Sequence, residues 1–305
     1  MIKNYTLLVG NYGHTNIGDM LLKKSAEKQL SSDEVKVMSP GFGDFPIFTI
    51  GFRSLFVSPL NNWKAYKAIL NSEKIVFGGG GLFNSQNRHS LWIWGSVLCV
   101  SILLRKNVEL IGQSFSSVPT GVLLSLLKRT NAISVRDNQS LEFLKKAQIT
   151  ATLVNDLALN LNTTDIEEVF KQIKFVPGNT IKLNCDYILF NARTYNSLSE
   201  SVYRDIQSWI SKTQYKVVFV AFDKSDVNFY NKYLKDLGVI ITNPSVELFT
   251  NAKKIIGMRL HFLLVAKKLG LEFTPLSYAP KVIGMFGSNQ CVDLYNYNNQ
   301  KNPLV

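Results

Sequence analysis

The sequence predicts an α/β protein built as two doubly wound, Rossmann-like domains facing a cleft. Three observations carry that expectation. The strand candidates are continuously apolar, as in TLLVG (6–10), KIVF (74–77) and KVVFV (216–220), which is the pattern of parallel strands covered by helices on both faces. Strand and helix candidates alternate up to residue 156, give way to a polar tract, and resume at residue 186. With 305 residues, 46% of them apolar and 18% charged, the chain can fill two cores and is too apolar for disorder.

The elements follow in order. TLLVG opens the first half and leads into a helix from about Met20 to Leu30, followed by the strand EVKVM (34–38). KIVFGGGG (74–81) precedes a long apolar helix near 87–105, then VELIGQ (108–113), a helix near 119–129, AISVRD (132–137), the amphipathic SLEFLKKA (140–147) and ATLVND (151–156). The polar run 160–184, with Pro177-Gly178 as a turn, separates a domain at 1–165 from one at 180–305, with 166–179 as the linker. The second half reads DYILFNAR (186–193), a helix near 198–212, KVVFVAF (216–222) and a helix near 225–237. VIIT, a short helix after Pro244, KIIGM, a helix from about Leu260 to Leu269 stopped by Gly270, LEFTPLSY and a helix near Lys281 complete it.

A formal net charge of +12 favours anionic partners. The cations are spread as doublets, and no zinc-finger or RNA-recognition pattern occurs, so nucleic acid is excluded as the expected partner. Three widely separated cysteines, Cys99, Cys185 and Cys291, offer neither a disulfide framework nor metal-ligand spacing, and they read as reduced core residues in the cytoplasm. The start MIKNYTLLVGNYG lacks a signal-peptide pattern. The most apolar segment, SLWIWGSVLCVSILL (90–104), is about five residues short of a bilayer span, and reads as a buried helix or one lying against the inner membrane face.

In doubly wound folds ligands sit at the carboxyl ends of the strands. Arg136, Arg193, Arg259 and the glycines of 78–81 all follow strand candidates. Arg259 and His261, in KKIIGMRLHFLLVAKKLG (253–270), interrupt a core-like run, so Arg259 needs either a carboxylate of this chain or an anionic ligand. His261 is the best general acid or base among three histidines; His14 is second and His89 reads as surface. In GNYGHTNIGD (10–19), Asp19 is an N-cap or, with Asn16, a partner for sugar hydroxyls. Gly79 and Gly80 imply close backbone approach, to a ligand or to the adjacent helix. Arg136 reads as an anion ligand or as the ion-pair partner of Asp137, Glu142 or Asp156. Lys281 at a helix start opposes the helix dipole unless an anion sits there. No clustered acids or His/Cys ligands suggest a metal.

Taken together, GNYGHTNIGD, VFGGGGLF, SVRDNQS, VNDLAL, GMRLHFLLVA and YAPKV, in that order, resemble the polysaccharide pyruvyl transferase family over most of the chain. The resemblance implies a GT-B-like fold and transfer of the enolpyruvyl carbon of phosphoenolpyruvate, a co-substrate with no separate cofactor, onto two hydroxyls of a sugar or glycan, whether nucleotide-linked, lipid-linked or polymeric. It implies that Arg136, Arg259, His261 and Lys281 surround phosphoenolpyruvate, and Arg193, as another strand-end cation, is read as a further donor-binding residue. Asp19, Asn16, His14, Gly79 and Gly80 would serve the acceptor. The chain departs from the family pattern at Met20, Asn84-Ser85, GQSFSS (112–117) and Leu157, mostly on the acceptor side. Two other readings remain at this stage. One is a nucleotide-sugar glycosyltransferase of the same architecture, although no two glutamates have the Glu-x7-Glu spacing; the other is a non-catalytic sugar-binding protein.

Overall fold

A computed structural model describes residues 5–13, 16–31, 34–47, 63–83, 88–173 and 185–295. Their contacts divide the chain into two compact units. The first is Met1–Gly13 with Asp19–Asn160; the second is His14–Gly18 with Leu161–Val305.

The first unit holds a seven-stranded parallel sheet in the order β3-β2-β1-β4-β5-β6-β7. Its strands are β1 (Thr6–Val9), β2 (Val35–Pro40), β3 (Phe45–Ile47), β4 (Lys74–Gly80), β5 (Asn107–Gln113), β6 (Ala132–Val135) and β7 (Thr152–Leu153). The central strands are apolar at successive positions because both faces are covered. On one face the helices Trp63–Asn71, Arg88–Leu103, Gly121–Leu127 and Asn138–Lys146 bury Ile69, Trp94, Leu98, Leu127 and Leu144 against Leu7, Phe77 and Leu110. On the other, Leu22 and Ala26 of the helix Ile17–Gln29 pack with Leu8, Val76 and Leu157.

The second unit holds a six-stranded parallel sheet, β10-β9-β8-β11-β12-β13. These strands are β8 (Tyr187–Asn191), β9 (Lys216–Val220), β10 (Val239–Ile241), β11 (Lys254–Gly257), β12 (Thr274–Ser277) and β13 (Val292–Asp293). Its core is rich in aromatic rings: Phe222 meets Phe262 edge-on at 5.5 Å, and Phe219 stacks on Phe229 at 6.1 Å.

Two doubly wound, Rossmann-like units are therefore observed, as expected, and the element order matches the sequence reading closely. Four strands and α-helices were not anticipated: β3, β13 and the helices Trp63–Asn71 and Thr163–Gln172. The last occupies much of the tract 166–179 assigned to a linker, whose residues 174–179 lie outside the described set. Its polar composition is one face only. Ile166, Val169, Phe170 and Ile173 recur at helical spacing and are 1% exposed each, and Asn162 and Asp165 close a reciprocal capping box at its start. Among the described residues, no helix is long and apolar enough to cross a membrane.

Candidate functional site

In the second unit the chain runs from β8 outward through β9 and β10, then returns to β11 on the opposite side of β8. The carboxyl ends of β8 and β11 are thus the point where strand order reverses, the usual ligand crevice of an open parallel sheet. β8 ends at Asn191 and is followed by Ala192-Arg193, and β11 is followed by Met258-Arg259-Leu260-His261.

The question posed by Arg259 has a direct answer. Its guanidinium is clamped by Asp226, with Nη2 donating to Oδ1 at 2.6 Å and Nε donating to the carboxylate at 3.0 and 3.1 Å. Nη2 also reaches Ser225 Oγ at 2.9 Å and lies 3.2 Å from Asp223. Asp226 is fully buried and further accepts from the Phe222 N–H at 3.0 Å and Asn191 Nδ2 at 3.2 Å. Asn191 Oδ1 in turn accepts the Arg259 backbone N–H at 3.1 Å, which fixes the turn after β11 to the end of β8. Burial pushes the Asp226 carboxyl up while Arg259 pulls against it. Burial would lower the Arg259 pKa, but the charge and hydrogen bonds of Asp226 reverse this and leave it raised. The four converging donors are the set an ionised carboxylate requires, so the pair is charged on both sides. Arg259 Nη1 has no hydrogen-bond partner among the described residues. One donor therefore remains for a ligand after the structural clamp is made.

His261 stands in the first turn of the helix Leu260–Lys268, half-buried, where Arg259 is the N-cap and makes no side-chain capping bond. Its ring lies against Gly18, a residue of the same unit. A methyl group at Gly18 would stand 2.2 Å from His261 Nδ1, so only glycine fits there. The Ile17 N–H donates to the Phe222 carbonyl at 2.8 Å, and Asn16 forms an antiparallel bridge with Asp223. Asn16 and His261 are thus both placed around the ends of β9 and β11.

Arg193 is half-exposed and forms no ion pair among the described residues; its Nε donates to the Thr194 carbonyl at 3.3 Å. Beside it Tyr195 meets Tyr278 edge-on at 4.9 Å, and the Tyr203 hydroxyl donates to the Tyr195 carbonyl at 3.0 Å. Lys281 is the second residue of the helix Pro280–Phe286, after an extended Ala279 and a proline at the first helical position. Its side chain lies outside the described set, as does His14 entirely and the side chain of His89.

In the first unit the order reverses between β1 and β4, so the GNYG loop and the glycine run flank the corresponding switch point. Tyr12 organises it. Its ring is buried, its hydroxyl donates to the Gly78 carbonyl at 3.0 Å, and its N–H donates to Ser39 Oγ at 2.8 Å. Burial pushes the Tyr12 phenol well above its ordinary value, with Asp19 and Glu27 adding to the effect. A Cβ at Gly78 would meet the Tyr12 hydroxyl at 2.2 Å. At Gly79, in a left-handed conformation (φ +44°), it would meet Leu22 at 3.0 Å and Leu157 at 3.2 Å. The first glycines therefore admit a tyrosine and a helix, whereas Gly80 and Gly81 face more open space. Asp19 lies in the first turn of the helix Ile17–Gln29 and accepts from Asn11 Nδ2 at 3.0 Å.

Arg136 follows β6 and is 8% exposed, with Nη1 donating to Asp156 at 2.6 Å and Nε to Ser114 Oγ at 2.8 Å. The ion pair with Asp156 is one of the partners read for it from the sequence. Among the described residues, no group of acids, histidines and cysteines could hold a metal ion.

The Asp223/Asp226 pair and Asn191 were not singled out from the sequence. The signal was present in FDKSD (222–226): an acid directly after an apolar strand, and a second at the third helical position, where it turns inward.

A family model for polysaccharide pyruvyl transferase matches residues 16–280. The chain belongs to that family. The match runs from the N-terminal asparagine-glycine segment through Arg259, His261 and Pro280. No protein of curated function matches the chain in sequence. Among solved structures, the UDP-GlcNAc 2-epimerase of Methanocaldococcus jannaschii is similar with a TM-score of 0.59 at 10% identity, covering 98% of this chain and 95% of that one. The UDP-GlcNAc 2-epimerase of Neisseria meningitidis bound to UDP-GlcNAc gives 0.55 at 13% identity over 91% and 85%. Anabaena Alr3699/HepE in complex with UDP-glucose gives 0.53 at 10% identity over 90% and 81%. At these identities the likeness concerns the fold, which is GT-B-like.

Proposed function

We propose that this pyruvyl transferase family member moves the enolpyruvyl carbon of phosphoenolpyruvate onto two hydroxyls of a sugar in a polysaccharide or its precursor, forming a pyruvate ketal and releasing phosphate. The observation that carries the reading is the grouping of Arg193, the open Nη1 of Arg259, and His261 around one strand-order reversal. Guanidinium groups suit both anionic ends of phosphoenolpyruvate, and each charge-assisted hydrogen bond contributes roughly 1.5–3 kcal/mol. The first-turn N–H groups of the helix Leu260–Lys268 add positive potential at the same end.

The chemistry proceeds in two additions. Protonation of the phosphoenolpyruvate methylene carbon by the His261 imidazolium leaves an oxocarbenium-like carbon that one sugar hydroxyl attacks, giving up its proton. The C–O bond to phosphate then breaks, and the second hydroxyl closes the ketal as phosphate departs and its proton is taken up. His261 is suited to give the first proton and recover one later. Arg193, Arg259 and Lys281 neutralise the departing phosphate. Asp19, Asn16, His14 and the open Gly80 serve the acceptor hydroxyls. Arg136, already committed to Asp156 and Ser114, takes a structural role in this scheme.

Titration calorimetry with phosphoenolpyruvate tests the reading. Arg193→Gln is expected to leave stability unchanged, because no ion pair is lost, and to weaken binding roughly 10- to 150-fold. Absence of phosphoenolpyruvate binding to the wild-type protein, with stabilisation by a nucleotide sugar instead, would replace the donor with that nucleotide sugar.

A further inference from the structure

The first unit carries a surface that the proposed transfer does not use. Its helices Trp63–Asn71, Arg88–Leu103 and Gly121–Leu127 cover one face of the sheet side by side. Lys106 Nζ ties the first two together by donating to the Leu70 and Ser72 carbonyls at 2.7 Å each. A helix on a sheet buries one stripe and ordinarily turns a charged face to water. These helices do not. Of the nine large apolar side chains exposed among the described residues, six lie on them or one residue beyond: Trp63, Leu70, Trp92, Leu103, Leu104 and Val122, at 41–73% exposure. The helix Arg88–Leu103 has no charged residue after its first position, and Trp92, Gly95, Cys99 and Leu103 follow one another along its outer side at helical spacing.

The charge is equally one-sided. Between Phe45 and Val135 the sequence holds nine Lys and Arg residues and two acids, Glu73 and Glu109, of which Glu109 pairs with Lys74 at 2.9 Å. This stretch alone supplies more than half of the formal net charge of +12. Lys64 and Lys67 are exposed beside Trp63 and Leu70, and neither forms an ion pair among the described residues.

We propose that this three-helix face docks on the surface of an anionic lipid bilayer. Exposed tryptophan and leucine, interspersed with cations and free of acids, match an interface where apolar side chains enter the headgroup layer and lysines meet lipid phosphates. None of the helices is long enough to span, so the contact is peripheral. A second copy of the chain fits less well, because a two-fold pairing of this face sets cations against cations. The inference goes beyond the proposed transfer and needs no donor or acceptor.

Vesicle flotation of the full-length protein tests it, using phosphatidylcholine with and without phosphatidylglycerol at low and high salt. The protein should float with the anionic vesicles at low salt, and neither with the neutral ones nor at high salt. Lys64→Gln/Lys67→Gln should weaken the association about 30-fold, and Trp92→Gln/Leu103→Gln at least about tenfold. All four positions are exposed, so unfolding midpoints should match wild type and report that the variants fold. Failure to float with anionic vesicles, or flotation unchanged in both double variants, overturns the proposal. So does a solution dimer dispersed by Trp92→Gln, which would assign the face to a second copy. Because phosphoenolpyruvate is absent from the assay, the result is independent of the donor assignment.

Discussion

The Arg259–Asp226 clamp gives a stability prediction that can be worked from its contacts. Asp226→Asn keeps shape and volume but removes the charge from a carboxylate that is 0% exposed and receives four donors. The Arg259 side chain, 11% exposed, would then retain only Asp223 as a charged partner, at 3.2 Å. Removing one member of a buried pair costs about 3–5 kcal/mol, and the residual attraction to Asp223 sets the expectation at the lower end, about 3 kcal/mol. For a unit of this size that is a fall of about 6–12 °C in its thermal midpoint. Asp223→Asn leaves the bidentate clamp intact, and Asp223 is itself partly solvated, so its cost should stay below about 1 kcal/mol. Urea unfolding of both variants, followed by circular dichroism, measures the difference. In a cycle with Arg259→Met, the double variant should cost less than the sum of the two single ones, because both remove the same interaction. If Asp226→Asn lies within 1 kcal/mol of wild type, or Asp223→Asn costs as much, Arg259 is not held as described.

Other consequences follow from the glycines and from Tyr12. Gly18→Ala drives a methyl into the His261 ring and should cost about 1–3 kcal/mol and displace His261, seen as a lower thermal midpoint and lost transfer activity. Gly13→Ala meets no atom within 4 Å and should be close to neutral in the same assays. The raised Tyr12 phenol stays protonated when folded, so its stabilisation is complete below about pH 10 and is lost as the unfolded chain ionises above it. Urea midpoints at pH 9 and 11 should show Tyr12→Phe about 1 kcal/mol weaker at the lower pH, from the lost bond to Gly78, with the gap narrowing at the higher pH.

Much of the fold was legible because parallel strands buried on both faces leave unbroken apolar runs, and helix stops such as Gly270 (φ +71°) follow from local chemistry. The helix Thr163–Gln172 was missed because its apolar stripe is diluted by acids on the outer face, which in composition alone resembles a linker. At the site, the residue types at the strand ends were readable, and so was the choice facing Arg259. The outcome of that choice was not. Asp226 lies 33 residues before Arg259, in the helix that follows β9, two strands away from β11, and only the sheet order brings the two together. The glycine run shows the same limit: a sequence tells that backbone must be approached closely, but not that Tyr12 of the preceding loop is what approaches Gly78.

The assignment of His14–Gly18 to the second unit has a consequence for how the molecule can be taken apart. Five residues complete a unit whose remaining residues begin only at Leu161, after most of the first unit has been made. Ile17 and Gly18 supply a backbone donor to Phe222 and the flat surface under His261, so this segment finds its partners only once residues beyond Leu161 have been made. A protease cut near residue 160 would leave that short segment on the N-terminal fragment and a C-terminal fragment short of part of its own interior. The two products would be expected to unfold, or remain associated, rather than separate as autonomous domains, and the gene cannot be divided at that boundary without moving the segment as well.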